Sequence, residues 1–403
     1  MNESHTVDTL VQAGRLDEAI DYLRARLRAC RETGDPAGVA GAVELLGAVL
    51  GRTGQIRLGA DEYRMAAASH DRADALAAMG RVDEAITVCK DACRWWHAMG
   101  ETRCAAVELM YLGRLERDAG RRGESVGAHR EAVVLLSHGD DLMLLGEGLN
   151  NLASALVDAG RFADAVGAGE QAVRTHCATG DRGREAAALA TLGYAYRGLG
   201  RHDEAGAEFR TAAGIYAGEG DAARHAGMLH QLGIALDDAG RTSAAVEALR
   251  AGVAAWPETG DPDRKAELLV RLAAKLEQVE RLDEAVSVWE QAVDVLAAGG
   301  NRKNYCFALI GLANMLALLR RFDRMAVVAR RTIDVAVHGH ERWCEANGRL
   351  ELGTALMLLG KEGEPELRAA RAIFEEIGNS VMAAYAAEML GSRRPVDRTP
   401  GSV

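Results

Sequence analysis

Aromatic side chains make up only 4% of this 403-residue chain, and proline occurs 6 times against 45 glycines. A strand-rich sandwich or barrel draws on aromatic residues that are scarce here. The interior must instead be assembled from Ala, Leu and Val, which suits helices in close contact. No apolar run approaches the ~18 residues of a membrane-spanning helix. The opening stretch, MNESHTVDTL, has neither the basic start nor the apolar segment of a secretory leader. Seven cysteines (Cys30, Cys89, Cys93, Cys104, Cys177, Cys306 and Cys344) are an odd number with no disulfide-framework spacing. Together these features point to a reducing, cytoplasmic setting without a membrane role. Basic excess is missing too. The net charge is −11, which argues against a nucleic-acid binder whose affinity comes from Lys and Arg on phosphates.

Periodicity is what the chain does have. Gly-Arg pairs stand at Gly14, Gly80, Gly120, Gly160, Gly200 and Gly240, with degenerate versions at Glu280-Arg281, Arg320-Arg321 and Gly360-Lys361 and an earlier one at Gly54-Gln55. From Gly80 onward the step is 40 residues each time. A second turn falls near each midpoint, at Gly34-Asp35, Gly100-Glu101, Gly180-Asp181, Gly220-Asp221, Gly260-Asp261 and Gly300-Asn301. Glycine ends a helix by adopting positive φ, and the Asp beside it caps the next helix. Pro262 follows its cap at the first helical position, where proline is tolerated. Each unit therefore predicts helix A, a Gly turn, helix B and a Gly-Asp turn, with helices of roughly 15–18 residues.

Aligning the units on the first turn exposes apolar columns. Leu112, Leu152, Leu192, Leu232, Leu272, Leu312 and Leu352 lie eight residues before it, each followed by Gly or Ala, and Ala85, Ala165, Ala205, Ala245 and Ala285 lie five after it. Small residues at those places let helices A and B approach closely, and stacked units share one core. The step from Gly54 to Gly80 is only 26 residues. It predicts a shortened helix A of about two turns over 70–81 and separates an N-terminal cap (1–70) from a main array (71–390). The segment 391–403, GSRRPVDRTPGSV, lacks an apolar pattern and is expected to be disordered.

The stretch LATLGYAYRGLGRHDEAGAEF, residues 189–209, resembles the tetratricopeptide repeat, with Leu192-Gly193, Tyr196, Ala205 and Phe209 in that family's spacing. The period is longer than the family's usual ~34 residues, and the customary proline near the end of helix B is missing. LNNLA at 149–153, with the long period, is most similar to kinesin-light-chain-type repeats and to arrays in bacterial regulators. The resemblance implies an all-α fold: an α-solenoid of about ten units wound as a right-handed superhelix, with a concave groove for partners.

In the family, the helix A positions nine and six residues before the first turn, with those thirteen and two before it, line that groove. Carried over, they give Tyr111 and Arg114, Asn151 and Ser154, Tyr194, Gln231, Arg271 and Asn314, with Asn150 and His230 in the flanking column and Arg117 and Arg197 at the edge. An asparagine amide offers one acceptor and two donors, so it can bond both N–H and C=O of an extended peptide. Asn150 and Asn151, poor helix formers placed side by side inside a helix, fit that role. Lysine is missing from these columns, so the chaperone-tail carboxylate clamp of the family is not expected.

Catalytic chemistry finds little support. No P-loop, G-x-G-x-x-G, H-E-x-x-H or nucleophile-elbow motif is present, and neither a cofactor nor a metal is called for. Cys89, Cys93 and His97 share a helix face, but Cys89 occupies the column that Phe209 and Trp289 fill elsewhere, as a small core hydrophobe would. His129, His176 and His202 read as surface or turn residues. The expected function is a protein- or peptide-binding scaffold whose groove holds an extended segment, with self-association, if any, through the array ends. Two alternatives stand beside it. One is a peptide- or ligand-responsive regulator that sequesters a partner, since no segment is free to be a helix-turn-helix domain. The other is an enzyme or biosynthetic accessory protein with a groove site around His230, Tyr194 and Arg197.

Overall fold

The computed structural model describes residues 61–98 and 100–391, together with 3–15 and isolated positions between 18 and 49. Among the described residues every regular element is an α-helix. The chain divides into two compact units, residues 1–208 and 209–403. The first holds α1 (Glu3–Gln12), α2 (Asp61–Ala78), α3 (Val82–Ala98), α4 (Thr102–Asp118), α5 (Arg122–Leu136), α6 (Leu142–Asp158), α7 (Phe162–Thr179) and α8 (Arg182–Gly198). The division falls inside α9 (His202–Glu219). The second unit continues with α10 (Ala222–Asp238), α11 (Thr242–Ala255), α12 (Pro262–Gln278), α13 (Leu282–Ala297), α14 (Arg302–Leu318), α15 (Phe322–Gly339), α16 (Arg342–Leu358), α17 (Glu364–Glu376) and α18 (Ser380–Gly391). From α2 to α8 in the first unit and from α10 to α18 in the second, consecutive helices pack as hairpins, and each hairpin packs on the next. Each unit is thus a stretch of α-solenoid.

The turns work largely as their residues require. Gly120, Gly160, Gly200 and Gly240 all have φ between 72° and 78°. The degenerate turns keep that backbone without glycine, at Glu280 (φ 59°) and Arg320 (φ 54°), a conformation that costs an L-residue about 1 kcal/mol. At the second turn, Asp181, Asp221 and Asp261 each accept from a backbone N–H two or three residues on, at 2.9–3.0 Å, and Asn301 does the same. Gly260 and Gly300 depart from the expectation, because neither has positive φ. At the first of these, α11 stops at Ala255 and Trp256 turns extended ahead of Pro257, as a residue before proline prefers. The arginine of the Gly-Arg pair anchors the start of helix B. Arg81 and Arg281 reach Glu84 and Glu284 at 2.6 Å, and Arg161 and Arg201 pair likewise with Asp164 and Glu204.

The columns form the cores. Ala85, Ala165, Ala205, Ala245 and Ala285 are wholly buried, and the leucine column from Leu112 to Leu352 is buried throughout. Each such leucine contributes about 1.5–3 kcal/mol relative to exposure.

One expected element is different. The two-turn helix over 70–81 is the second half of an 18-residue helix, α2, that begins at Asp61. DEYRMAAASHDRADALAA holds neither glycine nor proline, so nothing interrupts it, and the missing turn fuses two expected helices into one. Most of the N-terminal cap and nearly all of the 391–403 tail lie outside the described residues. No described helix is long and apolar enough to cross a membrane.

Candidate functional site

Helix A positions of successive repeats fall on one face because their register repeats. In the first unit that face carries a cavity of about 280 Å³ between α2, α4, α5 and α6. Tyr111, Arg114 and Arg117 enter it from α4, Glu147 and Asn151 from α6, His70 from α2 and His129 from α5. The spacing of 111, 114 and 117 on one helix puts their side chains along a single stripe.

Tyr111 is held on three sides. Its hydroxyl donates to the Asp74 carboxylate, and the His70 carbonyl oxygen is 3.2 Å away. The His70 ring stacks on it at 4.2 Å between centroids. The Arg114 guanidinium lies 4.5 Å from the ring centroid and 3.1 Å from Asp74, a cation–π contact closed by an ion pair. Burial, and then Asp74, push the Tyr111 hydroxyl pKa well up, so it remains a donor. His70 in turn leans on a carboxylate inside the protein. Glu108 is fully buried, accepts from Ser69 Oγ at 3.1 Å, and has Oε2 3.0 Å from His70 Nε2, off the line of a good hydrogen bond. Arg114 and Arg117 give the cavity lining a cationic excess over its one carboxylate, Glu147. Both guanidiniums are also paired with carboxylates of α2 and α4: Arg114 with Asp74 at 3.1 Å and Arg117 with Asp118 at 3.5 Å.

His129 forms the floor. It is 3% exposed, and its Nδ1 is buried without a hydrogen-bond partner. Burial, with the Arg117 charge nearby, lowers its pKa to about 4, so the ring is neutral. Room for the imidazole comes from Gly113 on α4, where an added Cβ would stand 2.5 Å from the ring.

Residues 150–222 match the family model described as Tetratricopeptide repeat. The chain carries tetratricopeptide repeats. Two solved structures share the fold, and a third is similar over about half of this chain. The apo form of RapI aligns with a TM-score of 0.56 and 10% identity, over 93% of this chain and 96% of that one. A signal transduction ATPase with numerous domains and a tetratricopeptide repeat sensor, from Pyrococcus horikoshii, aligns with a TM-score of 0.54 and 12% identity, over 87% of this chain and 54% of that one. A putative kinesin light chain from Podosopora anserina with nearly identical TPR-like repeats aligns at 22% identity and a TM-score of 0.42, over 47% of this chain and 94% of that one. No curated protein matches the chain.

Tetratricopeptide register explains where the expected groove residues went. Tyr111, Arg114 and Asn151 meet in the α4–α6 cavity, and Arg117 joins them. Asn150, one residue aside, turns inward: its Oδ1 is buried without a hydrogen-bond partner. Ser154 is half-buried on α6 outside the cavity lining. Tyr194 and Arg197 form their own cation–π pair on α8, 5.5 Å apart. His230 and Gln231 on α10, Arg271 on α12 and Asn314 on α14 belong to the second unit. Arg271 is exposed and 3.6 Å from Glu267, the intramolecular pairing that an exposed arginine commonly adopts.

Two histidines expected at the surface or in turns are buried instead, His129 at 3% and His176 at 1% exposure. The signal was available for His129. It stands nine residues past its turn, in the column of Cys89, Phe209 and Trp289, and faces the small residue of the next column. Cys89 and Cys93 are buried in the core beside Ala85 and Leu112. Burial raises both thiols, Cys93 to about 12, so they remain protonated. Among the described residues no group of His, Cys, Asp and Glu is arranged to hold a metal ion. His70 gives no sequence signal because it precedes the regular 40-residue register and lies on the fused helix α2.

Proposed function

We propose that the helix A face of the tetratricopeptide repeats holds an extended peptide or protein segment, and that the chain acts as a binding scaffold or adaptor. The observation that carries this is the convergence of Tyr111, Arg114 and Asn151, from two successive repeats, on one open cavity of about 280 Å³. Its chemistry fits a segment better than a small substrate. Tyr111 offers a rigid aromatic surface clamped by His70 and Asp74. Arg114 and Arg117, already paired with Asp74 and Asp118, offer their remaining guanidinium N–H groups to a carboxylate, and the Asn151 amide matches a peptide group. The bound segment therefore presents an acidic side chain at this point.

The test is selection of displayed random dodecapeptides on the full chain, followed by affinity measurement on wild type, Arg114→Gln and Asn151→Ala. Selected peptides should share an acidic residue. Each variant should weaken them about tenfold, the loss expected for one charge-assisted or well-placed hydrogen bond. Failure to enrich any peptide would overturn the reading, as would peptides that bind both variants at wild-type strength.

A further inference from the structure

The second unit has a cavity of its own, of about 410 Å³, between α12, α13 and α14. Its walls are apolar: Val270, Leu296, Trp289 and Phe307. The indole reaches this face for one reason. Gly311 occupies the groove column that holds Tyr111, Asn151, Thr191, Gln231 and Arg271 in other repeats. A Cβ there would lie 2.4 Å from the Trp289 ring, so the missing side chain leaves room for the indole of a helix B tryptophan to reach this face. Phe307, one turn earlier on α14, is 41% exposed and packs against Trp343 at 5.2 Å, itself 38% exposed. In a chain with 4% aromatics this is a concentrated exposed cluster.

The rim is acidic and held in place. Asp263 Oδ1 accepts from the Asn301 backbone N–H at 3.0 Å and from Asn304 Nδ2 at 2.9 Å. Glu267, one turn further along α12 and with one carboxylate oxygen 3.6 Å from Arg271, completes the carboxylate edge. Arg264 also borders the cavity, but its side chain is 76% exposed and leans 3.8 Å from Asp261. The aromatic faces already attract a cation within the chain: Lys303 Nζ lies 5.9 Å from the Phe307 centroid.

We propose that this cavity binds the side chain of an arginine or lysine presented by a peptide or protein segment. The aliphatic stem lies against Val270 and Leu296, as such stems do on apolar surface. The charged head is shared between the Trp289 and Phe307 faces and the Asp263 and Glu267 carboxylates. The net charge of −11 favours approach of a basic partner. The site is built wholly from the second unit, so it stands or falls separately from the acidic-residue site at Tyr111.

The probes are blocked alanine pentapeptides with Arg, Lys, citrulline or Leu at the centre, titrated into the full ¹⁵N-labelled chain. The Trp289 indole N–H signal, assigned with Trp289→Phe, is the reporter. Arg and Lys peptides should shift it with dissociation constants in the millimolar range. Citrulline, of the same shape without the charge, and Leu should bind about fivefold more weakly or less. Glu267→Gln, an exposed change that leaves the fold alone, and Asp263→Asn should each bring the Arg peptide toward the citrulline level. Added salt should do the same. Three results would overturn the proposal: a Leu peptide that binds as well as Arg, an Arg affinity indifferent to both carboxylate variants, or no Trp289 shift up to the solubility limit. Failure of the Arg114 and Asn151 variants in peptide selection leaves this titration unaffected, so the two readings fail separately.

Discussion

Acidification should loosen the first unit through a single buried ring. The His129 imidazole sits between α4 and α5, 3% exposed, against Gly113, with no hydrogen-bond partner for Nδ1. Burial lowers its pKa from the ordinary 6.5 to about 4. A folded value below the unfolded one gives stability that is fully present above pH 6.5. Between pH 6.5 and about 4 the unfolded chain takes up a proton that the folded chain refuses, and stability falls across that window. At ~1.36 kcal/mol per tenfold change in proton affinity, the full loss is about 3 kcal/mol, of which about 2 kcal/mol has gone by pH 5. The control is His129→Leu. Leucine already fills the same register at Leu249, where it faces Gly233 closely. Repeat arrays open in segments rather than as one unit, so the assay is amide hydrogen exchange of α4 and α5 at pH 7.5 and 5.0, corrected for intrinsic rates. The protection free energy of wild type should drop by about 2 kcal/mol more than that of the variant, a difference that cancels the other titrating groups. Equal pH dependence in the two proteins would refute the reasoning. So would a His129 Cε1 resonance that titrates near pH 6.5.

Gly113→Ala should destabilise by about 1–3 kcal/mol, because its Cβ would enter the His129 ring. Gly127→Ala, on the exposed side of α5 with nothing within 4 Å of the new atom, should stabilise by about 0.5–1 kcal/mol; thermal unfolding of the pair checks both signs. Glu280→Gly should raise stability by up to about 1 kcal/mol by relieving the φ of 59° at a degenerate turn, read as exchange protection of α12 and α13. Glu351 on α16 is 4% exposed with Oε2 unpartnered, and burial pushes its pKa well above the usual carboxylate range. Its folded form keeps the proton, so its stability is fully present below the unfolded pKa of about 4.5 and is lost as pH rises through the folded value. Glu351→Gln should therefore gain on wild type in urea unfolding as pH goes from 5 to 8, and a constant difference would count against a protonated Glu351.

Register accounts for what could be read in advance and for what could not. The leucine and alanine columns, the positive-φ turns and the Asp caps follow from residues within one repeat, and a 40-residue period states each of them several times over. Tyr111, Arg114 and Asn151 are legible for the same reason: their position in the repeat selects their face. The departures arise where position alone does not settle the outcome. Without the Gly-Arg turn that would have divided it, α2 runs through as one helix. Polarity suggests a surface place for His129, although its column is that of Phe209 and Trp289. At that register a neutral ring is retained because Gly113 makes room for it, so identity misleads where position is informative. The cavity at Trp289 is the reverse case. Gly311 in a groove column reads as an empty place, and Trp289 in helix B reads as core. Only the reach of an indole across the helix pair, through the gap that Gly311 leaves, joins the two into a surface feature. Side-chain length across a hairpin is not encoded in the period of either helix. A repeat sequence can therefore state its fold many times over while a surface feature such as the Trp289 cavity depends on the one position, Gly311, where a repeat breaks the column.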